Sequence, residues 1–323
     1  MKTYRLASFM LVCALAPLSA RAAMPSASWK KLSLAVAPSP RAAHAMIYDR
    51  AGGKVVIFGG FNALLYFGDT WTFDGTTWAR ATTAVAPAPR AAAAMAYDEV
   101  THQVVMFGGF DGSSYLGDTW IWDGPTASWS QPAVTASPVA ASLPMGFTDP
   151  ITGHAMMIGG FDGRFYHSET WEWTGSDWLQ LTPATMPTAR GAGIAVLDPL
   201  DHRTVMYGGL GSLNITGTWL WDGTDWSRAF PATEPPLTYY SCATFDPNFA
   251  TVLLFGGAAG GPDLNDTWAW NGSDWSLLAT GRTPSGRESA GLAYDEAIGA
   301  TVMFGGQAGS KLLDDTWVLS PKK

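Results

Sequence analysis

VVMFGGFDGSSYLGDTWIWDG, residues 104–124, is a phrase that this 323-residue chain writes six times with variations. An apolar run ends in two glycines, a loop follows, and a short segment built on threonine and tryptophan closes the phrase. The glycine pairs stand at Gly59–Gly60, Gly108–Gly109, Gly159–Gly160, Gly208–Gly209, Gly256–Gly257 and Gly305–Gly306. They are 49, 51, 49, 48 and 49 residues apart. Behind them come Trp71, Trp120, Trp171, Trp219, Trp268 and Trp317, and a second tryptophan follows at Trp78, Trp129, Trp178, Trp226 and Trp275. Such a period marks an array of one supersecondary unit.

Within a period the pattern resolves into short strands. In the second, AAAAMAY precedes the turn DEVTHQ, VVMFGG ends in its glycines, DTWIW follows the loop, and SWSQ closes the unit after a turn. β-branched and aromatic residues dominate and no segment carries a helical period, which excludes an α/β reading. Four-stranded units of this kind bury their faces by stacking radially as the blades of a propeller. The tryptophans are expected to fill the wedges between blades.

The sixth period stops at DTWVLSPKK without its second tryptophan, while SWKKLS around Trp29 stands alone at the other end of the chain. An N-terminal strand completing the last blade closes the ring. The expectation is an all-β, six-bladed propeller over residues 23–323, preceded by an export signal over residues 1–22.

The repeated proline–arginine segment, VVxFGG, a spaced DTW and a following tryptophan resemble the Kelch-repeat family. DTWxWDGxxW is similar to the bacterial forms of the galactose-oxidase-type central propeller. The resemblance covers residues 28–319. It implies a six-bladed Kelch propeller and leaves function open, because one fold hosts unrelated sites. Family members include binding scaffolds, sugar epimerases and copper oxidases.

Lys2 and Arg5 precede the apolar LASFMLVCALAPL, and the small residues around Arg21 offer a cleavage site after Ala22. The run is short for a membrane span, and Val12 before Cys13 is too bulky for a lipid-attachment box. A periplasmic or secreted protein is expected, with no integral membrane segment after cleavage. The whole chain has a formal charge of −8; without the leader, 16 basic residues face 27 acidic ones, a charge of −11. No basic stripe exists for a polyanion, so nucleic acid is not an expected partner. Only Cys242 remains after cleavage, which leaves no intrachain disulfide.

Eight residues before the aspartates Asp49, Asp98, Asp149, Asp198, Asp246 and Asp295 stand Arg41, Arg90, Ala141, Arg190, Thr238 and Arg287. On inner strands the four arginines gather at one mouth of the central channel. Guanidinium forks suit carboxylates and polyols, but their repetition favours bonds between neighbouring blades, since a ligand touches few blades equally. Breaks in the repeat are the second clue. Tyr239 and Tyr240 follow Thr238, Glu288 follows Arg287, and His44 takes a place held elsewhere by Ala93, Pro144, Gly193, Ser241 and Ala290. On the same face, the first and third loops carry Phe61, Asn62, Tyr66, Phe161, Asp162, Arg164, Phe165, Tyr166 and His167.

These residues point to a binding module, expected as a monomer, whose ligand is a carbohydrate or an exported protein. The alternative is a small epimerase- or lyase-type enzyme with His44, Tyr240 and Glu288 as acid and base. No metal-ligand spacing, phosphate loop or nucleotide fingerprint occurs, so neither metal nor cofactor is expected.

Overall fold

The computed structural model describes residues 25–212, 215 and 217–322; the expected leader lies outside them. Among the described residues there are strands and no helix. Six four-stranded antiparallel sheets form the blades of a ring. Blade one runs outward through Ala45–Asp49, Lys54–Phe58, Thr70–Phe73 and Trp78–Arg80. The inner strands of the other blades are Ala94–Asp98, Met145–Thr148, Ile194–Asp198, Cys242–Asp246 and Gly291–Asp295.

Blade six is assembled from both ends of the chain. Its Gly291–Asp295, Ala300–Phe304 and Thr316–Pro321 are completed by the N-terminal Ala27–Lys31, with Trp29 opposite Leu319. The expected clasp is therefore present. Trp29 also does the chemical work of the missing tryptophan. In every blade the outer-strand indole donates to the threonine hydroxyl that opens, or in blade four immediately precedes, the third strand of the preceding blade. The pairs are Trp78–Thr316 at 2.9 Å, Trp129–Thr70 at 2.8 Å and Trp178–Thr119 at 2.8 Å. Trp226–Thr170 at 3.0 Å, Trp275–Thr218 at 2.9 Å and Trp29–Thr267 at 3.2 Å complete the circle. The repeated threonine thus lets each buried indole fill the interblade wedge without an orphaned donor.

The inner end is held by backbone. Ala43, Ala92, Leu143, Ala192, Tyr240 and Ser289 all have positive φ. Their N–H groups bond head to tail around the axis: Ala43 to Ser289 O, Ser289 to Tyr240 O, Tyr240 to Ala192 O, Ala192 to Leu143 O, Leu143 to Ala92 O, and Ala92 to Ala43 O, at 2.7–3.1 Å. The left-handed conformation is unfavourable for a residue such as Tyr240. Its recurrence in all six blades assigns it to this collar. The second glycine of each pair donates to the next blade, as Gly60 does to Arg90 O at 2.9 Å. A Cβ on Gly59 (φ +70) would lie 2.3 Å from that oxygen, so the pair must be glycine where blades meet this closely.

Candidate functional site

The four arginines are buried within their own blades. Arg41 gives all five of its N–H donors to the protein. Nε bonds Ser39 O and Nη1 bonds Gly59 O, at 3.1 and 2.9 Å; Nη2 reaches Ser39 Oγ at 3.2 Å; and the fork holds Asp69 at 2.7 and 3.0 Å. Arg287 repeats the set on Ser285, Gly305 and Asp315. Arg90 bonds Ala88 O, Gly108 O and Asp118. Each carboxylate also accepts from the next indole: Trp71, Trp120 and Trp317 at 2.7–2.8 Å. The acidic residue before TW is the third member of an Asp–Arg–Trp set built around a buried guanidinium.

Burial alone would raise Asp69, Asp118 and Asp315, but hydrogen bonds from the arginine and the indole hold each carboxyl below its ordinary range. In blade four Gly217 takes the acid's place. Arg190 keeps its bonds to Thr188 O and Gly208 O, and burial followed by the nearby Arg228 lowers it to about 10. The guanidiniums therefore point outward to the second and third strands instead of gathering at the channel mouth, and they bond within a blade instead of between blades. Arg41 and Arg287 have no donor left for a ligand.

His44 does line the upper channel, in a cavity of about 210 Å³ among small residues of the inner strands. Neither ring nitrogen has a partner. The ring stands edge-on to Phe304 at 5.4 Å. Burial first, and then Arg41, lower its pKa to about 3, so the imidazole is neutral and a weak base. Tyr240 and Glu288 sit within electrostatic reach of each other, and burial raises both. No hydrogen bond joins either to His44, so the three do not form a connected acid–base set. Cys242 is buried and burial pushes its thiol up to about 12.

The loops after the glycine pairs build a continuous surface. Rings run Phe61, Tyr66, Phe110, Tyr115, Phe161 and Tyr166, with successive centroids 4.8–6.0 Å apart across blades one to three. Phe110 and Tyr115, the middle links, did not stand out as site residues. Their signal was present: each falls one and six residues after a glycine pair, like Phe61 and Tyr66 and like Phe161 and Tyr166. Tyr239 and Tyr240 form a separate edge-on pair at 5.4 Å.

The carboxylate and carboxamide oxygens of these loops are occupied. Asn62 Oδ1 accepts from the N–H groups of Leu64 and Leu65, and Asp162 Oδ1 from those of Arg164 and Phe165, the side chain closing the turn on itself. His167 is half-buried between Asp162, 3.1 Å from Nε2, and Glu169, 3.4 Å from Nδ1. Leu64, Leu65 and Phe165 are left at the tips, 87%, 59% and 54% exposed. Arg164 is exposed beside them, its guanidinium 4.8 Å from the Phe165 ring centroid.

Among the described residues no three His, Cys, Asp or Glu side chains converge as a metal site, and no helix is long and apolar enough to cross a membrane. The model of the KLHDC2/KLHL20/DRC7 Kelch-repeats domain matches residues 21–209, which is 189 of the 323 residues. No curated protein sequence matches the chain. Kelch propellers are general scaffolds for binding proteins and other ligands. With six four-stranded blades and a family match over more than half its length, this chain belongs to the Kelch-repeat family of β-propellers.

Proposed function

We propose that this Kelch propeller is an exported binding module whose ligand is another exported protein, docked on the loop face of blades one to three. The observation that carries the reading is the combination at the loop tips: exposed Leu64, Leu65 and Phe165 over a string of six half-buried rings. Apolar side chains held out by rigid turns are anchors that a partner can desolvate. A carbohydrate needs convergent free polar groups beside its aromatic platform. Here Asn62 Oδ1, Asp162, Arg41 and Arg287 spend those groups on the protein itself, which favours the protein ligand over the sugar.

The test compares the parent with a Leu64→Ser, Leu65→Ser, Phe165→Ser variant, whose changes lie at exposed positions. A partner retained by the parent and lost by the folded variant supports the reading. A glycan bound equally by both would replace it with the carbohydrate reading. Export rests on residues 1–22, and N-terminal sequencing of the chain from a periplasmic or culture fraction is expected to begin at Ala23. An intact Met1 there would remove the export half of the proposal.

A further inference from the structure

The opposite mouth of the central channel is built differently, and its asymmetry is informative. At the residue before the ring aspartate the blades carry, in order, Tyr48, Tyr97, Thr148, Leu197, Phe245 and Tyr294. At the residue after it they carry Arg50, Glu99, Pro150, Pro199, Pro247 and Glu296. Blades six, one and two thus combine a tyrosine with a charge, while blades three to five combine Thr, Leu or Phe with proline. The walls enclose about 500 Å³, within the ~300–1,000 Å³ of small-molecule sites. Ring closure alone asks for six similar positions and supplies no reason for one charged and one apolar half.

The polar half already holds a cation. The Arg50 guanidinium lies between two carboxylates, donating from Nε to Glu296 at 2.9 Å and pairing through Nη1 with Glu99. It stands 5.8 Å from the centroid of the Tyr97 ring. The Tyr294 hydroxyl accepts from Asn248 Nδ2 of the neighbouring blade at 3.4 Å. What remains for a guest is the half-buried rings of Tyr48 and Tyr294, two carboxylates against one guanidinium, and the apolar side chains of Leu197 and Phe245.

We propose that this mouth binds a small organic cation, an ammonium compound with an apolar body, and that Arg50 is the resident occupant of its charge seat. Aromatic faces attract cations through their quadrupole. The surplus carboxylate adds charge attraction, and the acidic chain concentrates cations near the mouth. The apolar body gains by leaving water against Leu197 and Phe245. An anion meets the carboxylates, and a neutral molecule of the same shape forfeits the charge attraction.

The test is calorimetric titration of the purified full chain with benzyltrimethylammonium, benzyl alcohol and benzoate, three probes that share one ring. Saturable binding of the ammonium alone is expected. The Glu99→Gln, Glu296→Gln variant should weaken it by about tenfold or more. Arg50→Ala should strengthen it severalfold, because the guest no longer competes with a tethered guanidinium. The Leu64→Ser, Leu65→Ser, Phe165→Ser variant should bind like the parent, which separates this site from the loop face. The proposal is overturned if neither the parent nor Arg50→Ala binds the ammonium, if benzyl alcohol binds as well, or if the glutamine pair leaves the affinity unchanged. Weaker binding by folded Arg50→Ala would overturn the resident-cation assignment.

Discussion

Blades one, two and six each hold a complete Asp–Arg–Trp set, and blades three, four and five break it in three different ways. Blade three has Glu169 but Ala141 in the arginine's place; blade four has Arg190 but Gly217; blade five has Asp266 but Thr238. At the positions of the set itself, the broken half leaves buried atoms without partners, Trp219 Nε1, Trp268 Nε1 and Thr238 Oγ1, while the other buried unpartnered atoms, the His44 nitrogens and Asp295 Oδ2, lie outside the set. The backbone ring of Ala43, Ala92, Leu143, Ala192, Tyr240 and Ser289 is nevertheless unbroken through both halves. The difference teaches which interactions define the propeller. Main-chain groups at the inner end must be satisfied in every blade, whereas the side-chain set is an addition that a blade can lack. The halves should accordingly differ in strength.

The sharpest way to break that comparison is to remove one arginine from each half. Arg90→Ala takes the guanidinium from Asp118, whose side chain is 26% exposed and keeps the Trp120 bond, so the loss should fall below the ~3–5 kcal/mol of a fully buried pair. Arg190→Ala removes a guanidinium that has no such carboxylate in Gly217's place, so its cost should be less than half as large. Equal losses in urea unfolding would show that the carboxylate contributes nothing and that both arginines act only through the carbonyls they cap.

Acid separates the halves by a second route. Asp69, Asp118 and Asp315 have folded-state pKa values below their ordinary range. Their contribution is therefore complete above the unfolded value near ~3.9 and is lost as pH falls through the lowered folded values. Asp118→Asn is expected to be less stable at neutral pH and to lose less on acidification below about 4. A variant whose stability falls as steeply as the parent's would place the acid sensitivity elsewhere. The smallest effect is a repair. Thr238→Arg offers Asp266 the partner that its counterparts have, and a gain of about 1 kcal/mol is expected if the fork and its carbonyl bonds form. A loss would mean that blade five has closed over the vacant space and that the larger side chain strains it.

Much of the architecture was legible before any coordinates. The glycine pairs count the blades, and Trp29 completing the sixth follows from a missing repeat element. Both features are periodic along the chain, so they can be read without knowing what touches what. The candidate site was legible only as a face. The loop aromatics lie where expected, with Phe110 and Tyr115 joining the two stretches that had stood out. The repetition of the arginines favours a structural role but does not name the partner, because a guanidinium suits a protein carboxylate and a ligand carboxylate equally well. Asp69 lies 28 residues from Arg41, and nothing in their spacing announces the pair.

By itself, then, the amino-acid sequence determined the repeat, the four-stranded blade and the N-terminal closure, since each follows from local alternation and from one supersecondary unit written six times. Only the tertiary structure decided which way the guanidiniums turn, that the loop tips rather than the loop carboxamide and carboxylate oxygens are free, and that Glu296, Arg50 and Glu99 meet at the far mouth. Arg50 and Glu296 are 246 residues apart in the chain. Closing the ring makes them neighbours, and the distance between two charges in space, unlike the period of a repeat, is settled only when the ring has closed.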